Sequence, residues 1–466
     1  MVIASRLLPS VPTLNSRRFH VPSRRLISAA PPSMDRPPSE PEDDDKHYVH
    51  YNHTIPSKYP RWTPRECFRY FYDRPWDEIR DFYADLVRGN SSLAMLFAAK
   101  GDFICNEGDV SEKCENRLPE SVADDDRSGR WERRTYKIVV SYHGASFDGW
   151  QKQPNLNTVQ ELVEKSLGIF VDERKAKLLK EKCLPLEGCA VVAGRTDKGV
   201  TALRQVCSFY TWRKDVEPRD IEVVLNSVTS GALRVVSVSE VSRSFHPNFS
   251  AKWRRYCYLF PFNDGEVGED SCDFSSMNEN TAKELSNWSG NGIIICSATV
   301  EQHAHGHENG DTRKVINVSQ VNRFLRLLEG KTLSYKMFAR DTKASRNTGP
   351  PTECFMYHAR AALCRLRSSD QEHGRTIMCI ELVANRFLRK MVRVLVATSI
   401  REAAAGSDDD VLIKLMDEAC RRATAPPAPP DGLCLVDVGY ADFDRELSLA
   451  TLRRACTPPP RVCATF

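Results

Sequence analysis

The segment Gly194-Arg195-Thr196-Asp197-Lys198-Gly199-Val200 gathers an arginine, an aspartate and a lysine between glycines, directly after the apolar run Cys189 to Ala193. A strand that ends there delivers the three charges into a tight turn, which presents a carboxylate rigidly with cations on both sides. The same residues also suit a plain connection between two strands, because Asp and Gly are favoured in turns for backbone reasons alone. Spacing by itself leaves both readings open.

Other chemistry-bearing residues are spread along the chain. Tyr256 alternates with Tyr258 in an expected strand from Arg255 to Phe260. Phe387, Leu388, Met391, Val392 and Leu395 mark the buried face of a long helix, which leaves Arg386, Arg389, Lys390 and Arg393 as a basic remainder facing solvent. Gly330-Lys331-Thr332 looks like the end of a phosphate-binding loop, but Leu325 stands where its first glycine belongs, so no nucleotide triphosphate site is expected. His303, His305 and His307 stand two residues apart in a polar stretch, which is poor evidence for a structural zinc site. The 16 cysteines include no Cys-x-x-Cys pair and read as reduced thiols. No metal and no cofactor are expected.

These residues must be positioned by a globular chain. Its 466 residues, 41% hydrophobic and 27% charged, can bury a large core, and no apolar run approaches the roughly 20 residues of a membrane span. A net charge of +4 decides nothing about nucleic acid, since phosphate binding depends on where cations cluster.

Residues 1–34 are rich in Arg and Ser and carry no acidic residue before Asp35, the composition of a transit peptide. Organelle import is the expectation, with the chloroplast placed ahead of the mitochondrion. Residues 35–130 form an N-terminal extension: an acidic, Pro-rich linker over Arg36 to Asp45, a helix near residues 77–88 carrying Ile79, Phe82, Tyr83, Leu86 and Val87, and a second polar stretch from Glu107 to Asp126. The period then changes to two at Tyr136, Ile138, Val140 and Tyr142, followed by a loop and a helix opened by the capping box Thr158 and Glu161. Further strands are expected at Gln205 to Trp212, Leu233 to Val238, Met356 to Leu363 and Thr376 to Val383, with helix signals from Pro218 to Leu225. Interleaved strands and helices give an α+β class. Residues 263–320 read as a surface insertion, and 446–466 as a tail.

Four further segments accompany the aspartate loop in a fixed order. They are Gly149-Trp150-Gln151 with Thr158-Val159-Gln160-Glu161, then Phe245-His246-Pro247-Asn248-Phe249-Ser250-Ala251 leading to Arg255-Tyr256, then Asn385 to Arg393, then Gly432-Leu433. Together they resemble the TruA-type tRNA pseudouridine synthases over most of residues 134 to 445. The resemblance implies that Asp197 attacks the target nucleotide, that Tyr256 removes the final proton, and that Arg393 pairs with the aspartate. Arg195 would occupy the place of a base flipped out of a stem, with Lys198, Arg255, Arg389 and Lys390 as further RNA-binding residues. Thr201 stands where many members have histidine.

The implied architecture is two related α/β halves with mainly antiparallel sheets joined across a central basic cleft, residues 131–262 and 321–445. The implied partner is tRNA, bound by a homodimer, and the implied targets lie in the anticodon stem-loop. The rival expectation is a non-catalytic RNA-binding or RNA-folding protein on the same scaffold.

Overall fold

The computed structural model describes residues 55–97, 133–184, 190–228, 231–263, 316–340, 351–366, 374–418 and 420–443, all within the unit His50–Phe466. The segments expected to be a transit peptide, two linkers and a tail, and most of the expected insertion with its three histidines, lie outside the described residues.

Among the described residues nine strands form one open, mainly antiparallel sheet, so the chain is of mixed α+β class. The strands are β1 (Arg134–Tyr142), β2 (Val191–Val192), β3 (Thr201–Thr211), β4 (Leu233–Val241), β5 (Trp253–Pro261), β6 (Lys331–Ser334), β7 (Glu353–Leu366), β8 (Arg375–Ala384) and β9 (Leu433–Gly439). Their order is β4-β1-β3-β9-β5-β8-β7-β6, with β2 added to β3. The pairing of β3 with β9 is parallel and joins Thr201 to Cys434 and Ala202 to Leu435. It is the seam between the first strands and the last.

On one side of that seam, Tyr136, Ile138 and Val140 of β1 are fully buried in a cluster with helices α3 (Val159–Leu167) and α5 (Pro218–Val228). Helix α4 (Glu173–Glu181) buries no residue, which is why its sequence shows no apolar stripe. A larger cluster joins β5, β7 and β8 to α6 (Val318–Arg326), α7 (Met391–Ala404) and α8 (Val411–Met416).

The described part of the N-terminal extension, residues 55–97, packs into this second cluster. Helix α1 (Pro64–Tyr72) opens with a capping box, Thr63 and Glu66 satisfying each other's backbone donors, and α2 (Trp76–Arg88) ends at Gly89 in the left-handed conformation. Trp76 sets its ring edge-on to Tyr258 and Phe260, and burying such a side chain contributes about 1.5–3 kcal/mol. Arg61 donates to Glu402 of α7 at 2.7 Å with both side chains buried, and Arg401 and Ser407 also donate to the carboxylate. Removing Glu402 would leave two buried guanidinium groups without their counter-ion, at about 3–5 kcal/mol.

This cover changes the expected character of α7. The helix starts only at Met391, after Lys390 adopts φ +58°, and every residue from Met391 to Ala404 is buried. Arg393 therefore does not face solvent, because α1 and the Arg61–Glu402 contact lie over α7.

Charge also runs across the sheet through neighbouring strands. Arg204 of β3 pairs with Asp437 of β9 at 3.2 Å, Asp437 is registered opposite Arg255 of β5, and Arg255 is bonded to Glu381 of β8. His358 of β7 then bridges Glu381 at 3.1 Å and Glu329 at 3.3 Å, and Arg360 closes on Glu329. Burial would raise the Glu381 carboxyl, but Arg255 and His358 outweigh it and bring the group down to about 2. Burial likewise opposes charge on His358, yet Glu329 and Glu381 raise it above the ordinary 6.5. A raised folded-state histidine contributes stability that is complete below its unfolded value and is lost as pH climbs through the folded one. His358→Gln should therefore destabilise most near about pH 6 and progressively less at higher pH. Urea midpoints of both proteins across that range test this, and a gap that stays constant contradicts it.

Candidate active site around Asp197

After β2, Ala193 still donates to Val206 at 2.8 Å, and then the chain leaves the sheet and returns at Thr201. The intervening loop is fixed almost wholly by groups from other elements. Gln205 donates to the Gly194 carbonyl at 2.7 Å, the Tyr142 hydroxyl meets Thr196 Oγ1 at 2.7 Å, and the Trp150 amide donates to the Thr196 carbonyl at 3.1 Å. The Val200 amide closes a turn onto the Asp197 carbonyl at 3.2 Å, with Gly199 at φ +81° in the position a type II turn reserves for glycine. Gly144 presses so closely that a Cβ there would lie 2.4 Å from the Gly199 carbonyl oxygen. Its amide donates to Thr201 Oγ1 at 3.0 Å, which gives the threonine at this position a bracing contact with the loop.

The Asp197 side chain remains 31% exposed, and Arg393 Nη1 stands 3.6 Å from its Oδ2. Arg393 is buried and pinned twice: its Nε donates to the Ala428 carbonyl at 2.6 Å, and its own carbonyl accepts from the Ala428 amide at 3.1 Å. Tyr256 lies half-buried near the pair, edge-on to Phe387. Burial pushes its phenol up to about 12, with Arg254 opposing and the Asp197 charge adding, so it carries its proton at neutral pH. A positioned carboxylate beside a guanidinium and a protonated phenol suits nucleophilic attack followed by proton transfer.

The remaining sequence-derived residues divide. Arg195 is exposed on the same turn as Asp197, and Lys198 pairs with Asp148 at 2.8 Å. Arg389 is exposed just before α7, and Lys390 occupies the N-cap position of that helix, three residues before the buried Arg393. Arg255 does not join them. It is 4% exposed and bonded to Glu381 within the charged row, so its guanidinium has no reach to a ligand.

Its neighbour Arg254 is the residue that sequence reasoning missed. Its guanidinium donates to the carbonyls of Ala193 at 2.9 Å, Asn385 at 2.9 Å and Asn248 at 3.1 Å, and to Asn248 Oδ1 at 2.6 Å. One side chain thus ties the strand before Asp197 to the 245–251 loop and to the segment before α7. The signal was available, because strand alternation puts position 254 on the Tyr256 side and position 255 on the other. Among the described residues no group of three His, Cys, Asp or Glu side chains is arranged to hold a metal ion.

Residues 336–441 match the family model described as tRNA pseudouridine synthase. The chain is 30% identical over 307 residues to tRNA pseudouridine synthase A of Leptospira biflexa serovar Patoc (strain Patoc 1 / Ames), which spans 66% of this chain and 94% of that protein. The chain belongs to this family. It is also 26% identical over 307 residues to the proteins of the same name from Geotalea daltonii and Thermoanaerobacter sp. (strain X514), covering 66% of this chain and 100% of each.

The close approach of Gly144 gives a direct test of how finely the loop is placed. Gly144→Ala should displace the Asp197 turn and slow turnover by about 100-fold, since a shift of roughly 1 Å at a reacting group costs that much. Gly168→Ala, where a Cβ would meet nothing within 4 Å, serves as the control and should be silent. Equal turnover for the two variants would show that the turn tolerates movement.

Proposed function

We propose that this chain isomerises uridine to pseudouridine in tRNA, with Asp197 as the attacking carboxylate. The observation that carries the reading is the Asp197–Arg393 pair at 3.6 Å on a braced, partly exposed turn, in a chain of this family. In the proposed reaction Asp197 attacks the target nucleotide and the bond between C1′ and N1 breaks. The detached uracil rotates within the site, C5 bonds to C1′, the bond to the Asp197 carboxylate is released, and the proton on C5 leaves while N1 gains one. No atom is gained and none is lost apart from exchanged protons, so the site has to hold a free base and exclude water. Tyr256 stands as a neutral phenol near Asp197, and it would take the C5 proton while passing its own hydroxyl proton to the released Asp197 carboxylate.

A base within a stem leaves its stack at a cost of a few kcal/mol, and Arg195, exposed on the catalytic turn, has a planar guanidinium able to fill the vacated place. Arg389, Lys198 and Lys390 would meet phosphates. The two hydrophobic clusters on either side of the β3–β9 seam support a reading of two halves flanking a cleft. We further assign the target to the anticodon stem-loop, the working form to a homodimer, and residues 1–34 to organelle import, chloroplast ahead of mitochondrion.

Conversion of uridine in unmodified tRNA tests the central reading. The chain should form pseudouridine, Asp197→Ala should form none, and the variant should keep tRNA affinity within about threefold, because Asp197 is proposed for chemistry rather than for phosphate contact. Conversion by Asp197→Ala would remove the aspartate from the mechanism. Binding without conversion by the parent chain would leave an RNA-binding protein.

A further inference from the structure

The outward side of α1 carries Arg65, Phe68, Arg69 and Tyr72, positions three and four apart that align along one face of a helix. Phe68 is 58% and Tyr72 is 42% exposed, and the two rings stack with centroids 4.3 Å apart and planes inclined by 18°. Their neighbours Cys67 and Phe71 point inward and are buried, so the helix is anchored and the aromatic pair is held in solvent on a fixed base. Both arginines are exposed beside the pair.

A cavity of about 290 Å³ lies between this face and the start of α7, with Phe68 and Tyr72 on one wall and Lys390 and Arg393 on the other. Arg393 is also the residue that reaches Asp197. The aromatic pair therefore adjoins the catalytic pair through a shared residue, Arg393, and it is supplied by the N-terminal extension.

We propose that this face binds an unpaired nucleotide of the RNA substrate next to the target uridine, its base stacking on the Phe68–Tyr72 pair and its phosphates meeting Arg65, Arg69 and Lys390. Stacked aromatics interleaved with cations are what a single strand or loop requires, because every base offers a π-face and every linkage a negative charge. An intact duplex would use the cations alone, and an apolar protein partner would have to desolvate them without compensation. The inference rests on the reading that the chain acts on tRNA, and it adds a specificity element outside the catalytic loop: unpaired flanking nucleotides should be preferred over a continuous stem.

The test uses the full chain and unmodified tRNA. Phe68→Ala with Tyr72→Ala should raise both Kd and KM by about 5-fold to 100-fold, the effect of losing one stacked base, and should leave kcat within about twofold. Phe68→Tyr with Tyr72→Phe should restore both constants. Kd is also measured in an Asp197→Ala background, so that the result does not depend on turnover: absence of pseudouridine from every protein would sink the catalytic reading, whereas the binding comparison judges the stacking surface by itself. A folded double-alanine variant with unchanged Kd and KM overturns the proposal. Reduced self-association with unchanged tRNA affinity overturns it too, by identifying a second copy of the chain as the occupant.

Discussion

Arg393 can stand beside Asp197 only because the backbone at Ala428 holds it there, accepting from its Nε and donating to its carbonyl. That backbone belongs to the stretch of Pro426 to Gly432, which has little regular structure to stiffen it and is fixed from outside. The Tyr258 hydroxyl donates to the Pro429 carbonyl at 2.9 Å, the Tyr83 hydroxyl donates to the Gly432 carbonyl at 2.8 Å, and Arg80 pairs with Asp431 at 2.9 Å. Two of those three contacts come from helix α2. The ion pair at the centre of the site therefore depends on a helix that begins more than a hundred residues before the aspartate.

The charged row across the sheet obeys a related constraint. A buried arginine or carboxylate is tolerable only when its neighbours complete its hydrogen bonds and offset its charge. Arg204, Asp437, Arg255, Glu381, His358, Glu329 and Arg360 do this for one another across β3, β9, β5, β8 and β7. Because each strand contributes partners to the next, a slip in register would strand several charges together, so the row specifies alignment as well as contributing stability.

Local pattern made part of this readable. The alternation of Tyr136 to Tyr142 and of Tyr256 to Phe260 reads as strand because successive side chains take opposite faces, although Val139, Ser141, Cys257 and Leu259 are buried on the other face too, and the glycines around Asp197 follow from the turn they occupy. What escaped was whatever depends on distant chain. Arg393 looked like a solvated cation because nothing near it in sequence announces that α1 will cover α7. Arg255 looked like an RNA contact because basic residues read alike until their partner, here Glu381, is in place. Helix α4 left no trace because it buries nothing, and β6 coincides with a Gly-Lys-Thr run that invited comparison with a phosphate loop instead of a strand.

The parallel contact of β3 with β9 has a temporal meaning. Thr201 and Cys434 are separated by half of the chain, and closing so long a loop is slow relative to forming hairpins or helices. The first strands, with the Asp197 turn already shaped by Tyr142, Gly144 and Gln205, can form while the remainder is still being made. The guanidinium that completes the pair, and the Ala428 carbonyl that aims it, arrive only after residue 428 has been synthesised. A nascent or clipped chain thus carries the Asp197 turn without its counter-ion, and the activity proposed for that turn would belong to the finished molecule alone.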